Sequence, residues 1–145
     1  MNTDLTIFYT DDDPEDLEFF IDALNDLGNH LNVVTQNNGE KLLHDLKNPP
    51  PNPQIIFLDL NMHGLTGYDV LEELRKSEQY QSVPVIILST SNDSVAIAKT
   101  RELGASYYIQ KPTNFEFLQK AINHVLKINW DTFKPNEHNF LYINE

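Results

Sequence analysis

The amino-acid sequence predicts a doubly wound α/β fold, a parallel sheet with helices on both faces, and three observations predict it. Five short runs rich in β-branched and aromatic residues alternate with segments whose apolar residues recur at helical spacing. The third and fourth runs, Gln54–Asp59 and Val83–Ser89, are apolar on consecutive positions, as expected of strands covered on both faces. The five β/α units fill the chain from residue 5 to about residue 128, and such alternation requires right-handed crossovers between parallel strands.

Leu5–Thr10 reads as a buried strand that stops at Asp11-Asp12-Asp13-Pro14. Pro14 suits a first helical position, and Glu15, Asp16 and Glu18 complement the positive end of the helix dipole. Leu17, Phe20, Ile21, Leu24 and Leu27 then mark a helical face up to Gly28. A second strand is expected at 32–36, and a short helix at 39–47 with Leu42, Leu43 and Leu46 inward. Pro49-Pro50-Pro51-Asn52-Pro53 closes that helix as a stiff connector. The third strand ends in Asp59 and leads to a helix carrying Val70, Leu71 and Leu74. The fourth ends in Ser89 and leads to a helix that stops before Gly104. Tyr107-Tyr108-Ile109 forms the fifth strand, and alternation places its two tyrosines on opposite faces. Lys111-Pro112 leads into a last helix whose stripe is Phe117, Leu118, Ala121, Ile122, Val125 and Leu126.

Composition excludes several functions. Twenty-two acidic residues against ten Lys and Arg give a net charge of −12, which opposes both nucleic-acid phosphates and anionic membrane surfaces. Residues 1 to 40 contain no Lys or Arg at all. The absence of Cys removes disulfides, thiolate catalysis and Cys-ligated metals, so carboxylates and His are the candidate ligands. No apolar run is long enough to span a bilayer, and Met1-Asn2-Thr3-Asp4 does not resemble a signal peptide, so a cytoplasmic location is expected.

In open parallel α/β sheets, functional groups collect beyond the carboxyl ends of the strands. Those ends carry Asp11 and Asp12, Asp59, Ser89 and Lys111. Carboxylates converging there would repel by about 4 kcal/mol per pair at ~4 Å and an effective dielectric near ~20, so a positive group is required. An oxygen-only donor set without His or Cys suits Mg²⁺, and Lys111 supplies further charge. A carboxylate beside a metal and an ammonium can attack a phosphoryl group, and Ser89 offers a hydroxyl to it.

These residues resemble the response-regulator receiver domains of two-component signalling. The resemblance covers residues 4 to about 128 and rests on Asp11-Asp12 after an apolar strand, Asp59-Leu60-Asn61-Met62 with Gly67 eight residues beyond Asp59, Ser89, and Lys111-Pro112. It implies the flavodoxin-like strand order 2-1-3-4-5. It also implies Asp59 as phosphoacceptor, Asp12 as a direct Mg²⁺ ligand, Asp11 as a mostly water-mediated one, and the Asn61 backbone carbonyl as a further contact. Lys111 contacts the phosphoryl group, Ser89 and Tyr108 form the switch, and the Lys111–Pro112 bond is expected to be cis. The implied donor is a sensor histidine kinase or a phosphotransfer protein, and the output is contact with a downstream protein. Phosphoryl transfer and dephosphorylation would be self-catalysed, not turnover of a substrate. His63 stands where the family very often has Pro, close enough in sequence to Asp59 either to border the pocket or to be a solvated loop residue, and Ser89 stands where Thr is commoner. A looser similarity, around Leu88-Ser89-Thr90-Ser91 and the C-terminal extension, is to short receivers encoded with phytochrome-like kinases.

Two rival classes fit less well. A haloacid-dehalogenase-type phosphatase would carry an Asp where Asn61 stands, and a flavin binder needs a phosphate-cradling loop where three acids follow the first strand. Residues 129–145 are expected to be an extension without a separate output domain. Trp130, Phe133, Phe140, Leu141, Tyr142 and Ile143 are too apolar for a freely solvated tail, so it should pack on its own domain, or second mediate a homodimer, or third meet a partner surface.

Overall fold

The computed structural model describes residues 5–28 and 30–143. Asp4, where the predicted receiver span begins, and Asn144-Glu145, where the extension ends, lie outside the described residues. Five parallel strands form one sheet: β1 (Leu5–Thr10), β2 (Leu31–Gln36), β3 (Ile55–Leu58), β4 (Val85–Ser89) and β5 (Tyr107–Gln110). Their order is β2-β1-β3-β4-β5, as the resemblance implies. The helices are α1 (Pro14–Asn25), α2 (Gly39–Lys47), α3 (Gly67–Lys76), α4 (Ser94–Glu102) and α5 (Phe115–Lys127).

Every helix starts at a residue able to accept a hydrogen bond from its own first turn: Asp13, Asn38, Thr66, Asp93 and Asn114. Thr66 and Asp69 complete a reciprocal capping box. Alternation along the strands divides the core in two. Phe8, Ile56, Leu58, Ile87 and Tyr108 face α2, α3 and α4, whereas Ile7, Tyr9, Phe57, Ile86 and Tyr107 face α1 and α5. The two tyrosines of β5 therefore do lie on opposite faces.

Strand bounds differ slightly from expectation. Val83 and Pro84 precede β4, since Pro84 has no N–H to give the ladder, although its carbonyl accepts from Ile56 at 2.9 Å. Thr10, an unusual polar residue at a buried strand end, is satisfied by donating to Gln36 Oε1 at 2.8 Å. Gln36 in turn donates to Asp45, which pairs with Lys41. The expected cis bond at Lys111–Pro112 is not found: it is trans, the ordinary preference of an X–Pro amide, and the cis bonds lie at Pro49–Pro50 and Pro50–Pro51.

The described part of the tail packs on its own domain. Trp130, Phe133 and Tyr142 surround the Tyr107 ring on one face of the sheet. Phe140, 1% exposed, meets the Tyr108 ring on the other. Between them the tail pairs with the outer edge of β5: Tyr108 N–H donates to the Phe140 carbonyl at 2.9 Å, and Tyr142 N–H donates to the Tyr108 carbonyl at 2.8 Å. Truncating Phe140 to Ala removes the side chain that anchors this strap. A core Phe→Ala costs about 3–5 kcal/mol, but a strap held to β5 by two backbone hydrogen bonds can undock locally, so the expected loss is about 2 kcal/mol. Amide hydrogen exchange checks it: the Tyr108 and Tyr142 amides should exchange at least about tenfold faster.

Candidate functional site

The backbone ladder continues one residue past three strands and so fixes the site. Asp11 N–H donates to the Gln36 carbonyl at 3.1 Å, Asp59 N–H to the Thr10 carbonyl at 3.0 Å, and Lys111 N–H to the Ser89 carbonyl at 2.7 Å. The side chains that follow the strands are thereby held at one rim of the sheet. The carboxylates of Asp11, Asp12 and Asp59 each offer an oxygen within 4.8 Å of the others. Lys111 reaches over them, its Nζ at 2.7 Å from Asp11 Oδ2 and 3.5 Å from Asp59 Oδ1.

Burial dominates the electrostatics. It raises the Asp59 carboxyl to about 7, with the Asp11 charge adding to the rise, while Lys111 and the Asn61 backbone amide pull against it. Burial alone would lower the Lys111 ammonium, yet its hydrogen bonds to Asp11 and Asp16 and the charge of Asp59 leave it raised. Asp12 lies nearer solvent, and the His63 backbone hydrogen bond holds it below the usual carboxylate range. These opposed environments give Asp59 and Asp12 different characters, one easily protonated and one firmly ionised.

Gly67 makes the loop after β3 possible. A Cβ there would collide with the Asp59 carbonyl oxygen and stand 2.7 Å from Leu60 Cα, and both are backbone atoms that cannot turn aside. Gly67→Ala should therefore cost about 2–3 kcal/mol, visible as a lower denaturant midpoint at unchanged slope.

Ser89 is fully buried at the end of β4, and its Oγ accepts from Ser91 N–H at 3.2 Å. Tyr108 is also fully buried and turned inward, its hydroxyl donating to the Ser91 carbonyl at 2.8 Å. Asn61 is exposed on the loop between β3 and α3. Asp11, Asp12, Asp59, Asn61, Ser89 and Lys111 thus fall at the carboxyl end of the sheet, with the three carboxylates in mutual reach and Lys111 against Asp11 and Asp59, while Tyr108, second in β5, reaches the loop after β4 through its hydroxyl.

Two neighbours escaped sequence reasoning. Asp16, read there only as a dipole-complementing residue, bonds Lys111 Nζ at 2.8 Å. Tyr9, buried under Phe20, donates its hydroxyl to Asp11 Oδ2, and burial first and the Asp11 charge second raise its pKa. His63 has an exposed ring, as expected of a loop His, yet its Nδ1 lies 2.9 Å from Asp12 Oδ2, which also accepts its backbone N–H at 3.0 Å. Strand alternation could have pointed Tyr9 toward α1, but no sequence signal pairs its hydroxyl with Asp11.

The donor set fits a hard cation. All three groups are carboxylates, those of Asp11 and Asp59 on backbone pinned by the ladder, with Asp59 buried among like charges that a divalent ion would offset. Both oxygens of Asp11 already accept protein donors, Asp13 N–H on Oδ1 and Tyr9 and Lys111 on Oδ2.

Comparison with known proteins agrees with this geometry. Residues 7–123 match the family model described as the response regulator receiver domain. Protein PilH of Pseudomonas aeruginosa is 28% identical over 120 residues, 83% of this chain and 96% of its own. The response regulator ARR5 of Arabidopsis thaliana is 28% identical over 75% of this chain. ARR8 of the same plant is 36% identical over 50% of it. The chain spans about half of ARR5 (56%) and a third of ARR8 (32%). Among solved structures, the phosphorylated cyanobacterial phytochrome response regulator RcpA superimposes with a TM-score of 0.79 at 26% identity, covering 90% of this chain and 96% of that one. CheY4 of Vibrio cholerae, a chemotaxis response regulator, gives 0.74 at 25%, covering 83% and 98%. The chain belongs to the response regulator receiver family, the phosphoryl-accepting domains of two-component signalling. Among the described residues no helix is long and apolar enough to cross a membrane.

Proposed function

We propose that Asp59 is the phosphoacceptor of this receiver, that Mg²⁺ is its cofactor, and that a phosphohistidine on a sensor kinase or phosphotransfer protein is its donor. The observation that carries the reading is the Asp11, Asp12 and Asp59 cluster under the Lys111 ammonium at the carboxyl rim of the sheet. A phosphorylated relative, RcpA, supports it.

A bound Mg²⁺ would neutralise phosphoryl oxygens and keep Asp59 ionised, with Asp12, Asp59 and the Asn61 carbonyl as its protein ligands. Asp11, whose oxygens already accept protein donors, would hold the ion through water. The chain does the rest. Asp59, fixed by its ladder hydrogen bond, presents a carboxylate oxygen that forms the new P–O bond as the donor's P–N bond breaks and the imidazole leaves. Lys111 covers the charge that develops on the phosphoryl group, and Ser89 contributes a hydroxyl hydrogen bond from the next strand. Drawing Ser89 toward that group frees space for Tyr108 to leave Ser91, which changes the surface around α4, β5 and the tail. A downstream protein reads that surface, and pairing of two copies is a second outlet for it. The domain catalyses its own phosphorylation and hydrolysis without turning over a separate substrate. Residues 4–128 form the receiver and 129–145 its extension, in a cytoplasmic protein without nucleic-acid or membrane contacts.

Intact-mass and site-mapping mass spectrometry after exposure to a small phosphodonor with Mg²⁺ tests this reading. One phosphoryl group on Asp59, labile to acid, base and hydroxylamine as an acyl phosphate is, is expected; labelling elsewhere, or none, overturns it.

A further inference from the structure

We infer that Asp16 is a positioning residue that parks the Lys111 ammonium on α1 and away from Asp59, an inference that rests on the proposed phosphoacceptor role of Asp59. Nζ of Lys111 has three protons to donate. Two are spent at full hydrogen-bond distance, on Asp11 Oδ2 at 2.7 Å and Asp16 Oδ2 at 2.8 Å, whereas Asp59 Oδ1 stands off at 3.5 Å. The lysine side chain is 13% exposed, so these contacts, more than water, decide where it sits.

The carboxylate of Asp16 accepts no hydrogen bond from its own helix among the described residues. Asp13 is the N-cap of α1 and accepts from Glu15 N–H at 2.9 Å, and the dipole is also complemented by Glu15. The hydrogen-bond and ion-pair partner of the Asp16 side chain among the described residues is Lys111. An ammonium shared this way leaves Asp59 less tightly paired before transfer, and it must give up the Asp16 bond, or stretch it, to cover a phosphoryl group on Asp59. Asp16 therefore sets a threshold: it competes with the phosphoryl group for the same cation.

The cluster also tells positioning from mere structural support. Asp11, Asp16 and Asp59 surround one ammonium, so deleting Asp16 orphans no buried charge and relieves like-charge repulsion. Asp16→Asn should hold or raise the melting temperature. It should tighten binding of the phosphoryl mimic beryllofluoride, with Mg²⁺ present, by about five- to tenfold, the scale of one ordinary hydrogen bond. It should also speed labelling by a small phosphodonor by a similar factor.

The experiment compares wild type, Asp16→Asn, Asp16→Glu and Glu15→Gln in the full chain. Glu15→Gln removes the same charge one residue away without touching Lys111, and should change beryllofluoride affinity less than about twofold. Asp16→Glu, which restores the carboxylate, should return it to within about twofold of wild type. In metal-free protein at one fixed alkaline pH, the Asp59 side-chain carboxyl ¹³C resonance should move in Asp16→Asn alone, as Lys111 closes on it. Equal behaviour of Asp16→Asn and Glu15→Gln overturns the inference. So does a fall in melting temperature with parallel loss of labelling and beryllofluoride affinity. If wild type takes no phosphoryl group at Asp59, the functional reading fails instead, while the metal-free ¹³C comparison still decides whether Asp16 holds the lysine.

Discussion

Asp59→Asn should abolish labelling by a small phosphodonor and at the same time stabilise the metal-free fold at pH 8. Both effects come from the same buried carboxyl. The amide cannot form an acyl phosphate, so label on the variant should fall to background in intact-mass spectra. The stability effect follows from the carboxyl's rise to about 7 in the folded protein, against about 3.9 in an unfolded chain. A raised folded value means that the native state holds the proton more tightly. The penalty of Asp59 is therefore nearly absent below about pH 4, grows between about 4 and 7, and is constant above. After allowing for solvent at the open side of the cluster, the variant should gain about 2 kcal/mol at pH 8 without divalent cations, shrinking to less than half of that at pH 5. Chemical denaturation at the two pH values checks it; a difference that does not change with pH would show that Asp59 is ionised throughout.

Lys111→Ala should have the opposite effect on the fold. It leaves Asp11, buried at the strand end, beside Asp59 and Asp16 with no internal cation. Removing one partner of a buried pair costs about 3–5 kcal/mol, and the partial exposure of Asp16 puts the expected loss near the lower figure. The loss should shrink at pH 5, where the abandoned carboxylates take up protons, and Mg²⁺ should restore part of it by binding the folded state alone. Labelling should slow on the order of 100-fold, as when one charge-stabilising donor is removed from an active site. Denaturation with and without Mg²⁺ separates the terms. If the ion gives this variant no more stability than it gives the wild type, the two cations do not serve the same charge.

Much of this was legible in the chain itself, for identifiable reasons. Parallel strands buried on both faces must be apolar on both, so Ile55–Leu58 and Val85–Leu88 announce themselves, and the first polar residue beyond each is carried to one rim of the sheet. That reasoning brings Asp11, Asp59, Ser89 and Lys111 together without any knowledge of tertiary contacts. It fails for Asp16, because a carboxylate in the first turn of a helix is explained equally well by the dipole, and only the reach of Lys111 distinguishes the two uses. It fails for Tyr9 because alternation assigns a face but not the partner of a hydroxyl at the ring's far end. For the tail, apolar content required burial, yet the sites that receive Phe140 and Trp130 are created by folding on either side of β5 and have no counterpart in local sequence. The trans Lys111–Pro112 bond lies beyond any such argument, since the two isomers differ by so little.

The pairing of Tyr108 with Phe140 and Tyr142 has a bearing on solubility. A parallel sheet ends on each side in a strand with open amide and carbonyl groups, and such a border can recruit extended segments from other molecules into fibrillar stacks. Here both main-chain groups of Tyr108 are already consumed by the molecule's own terminus, and the aromatic side chains that would make the border adhesive are turned against Trp130, Phe133 and Phe140. Colloidal protection of β5 is thus built from the same residues that flank the buried Tyr108, so loosening one exposes the other.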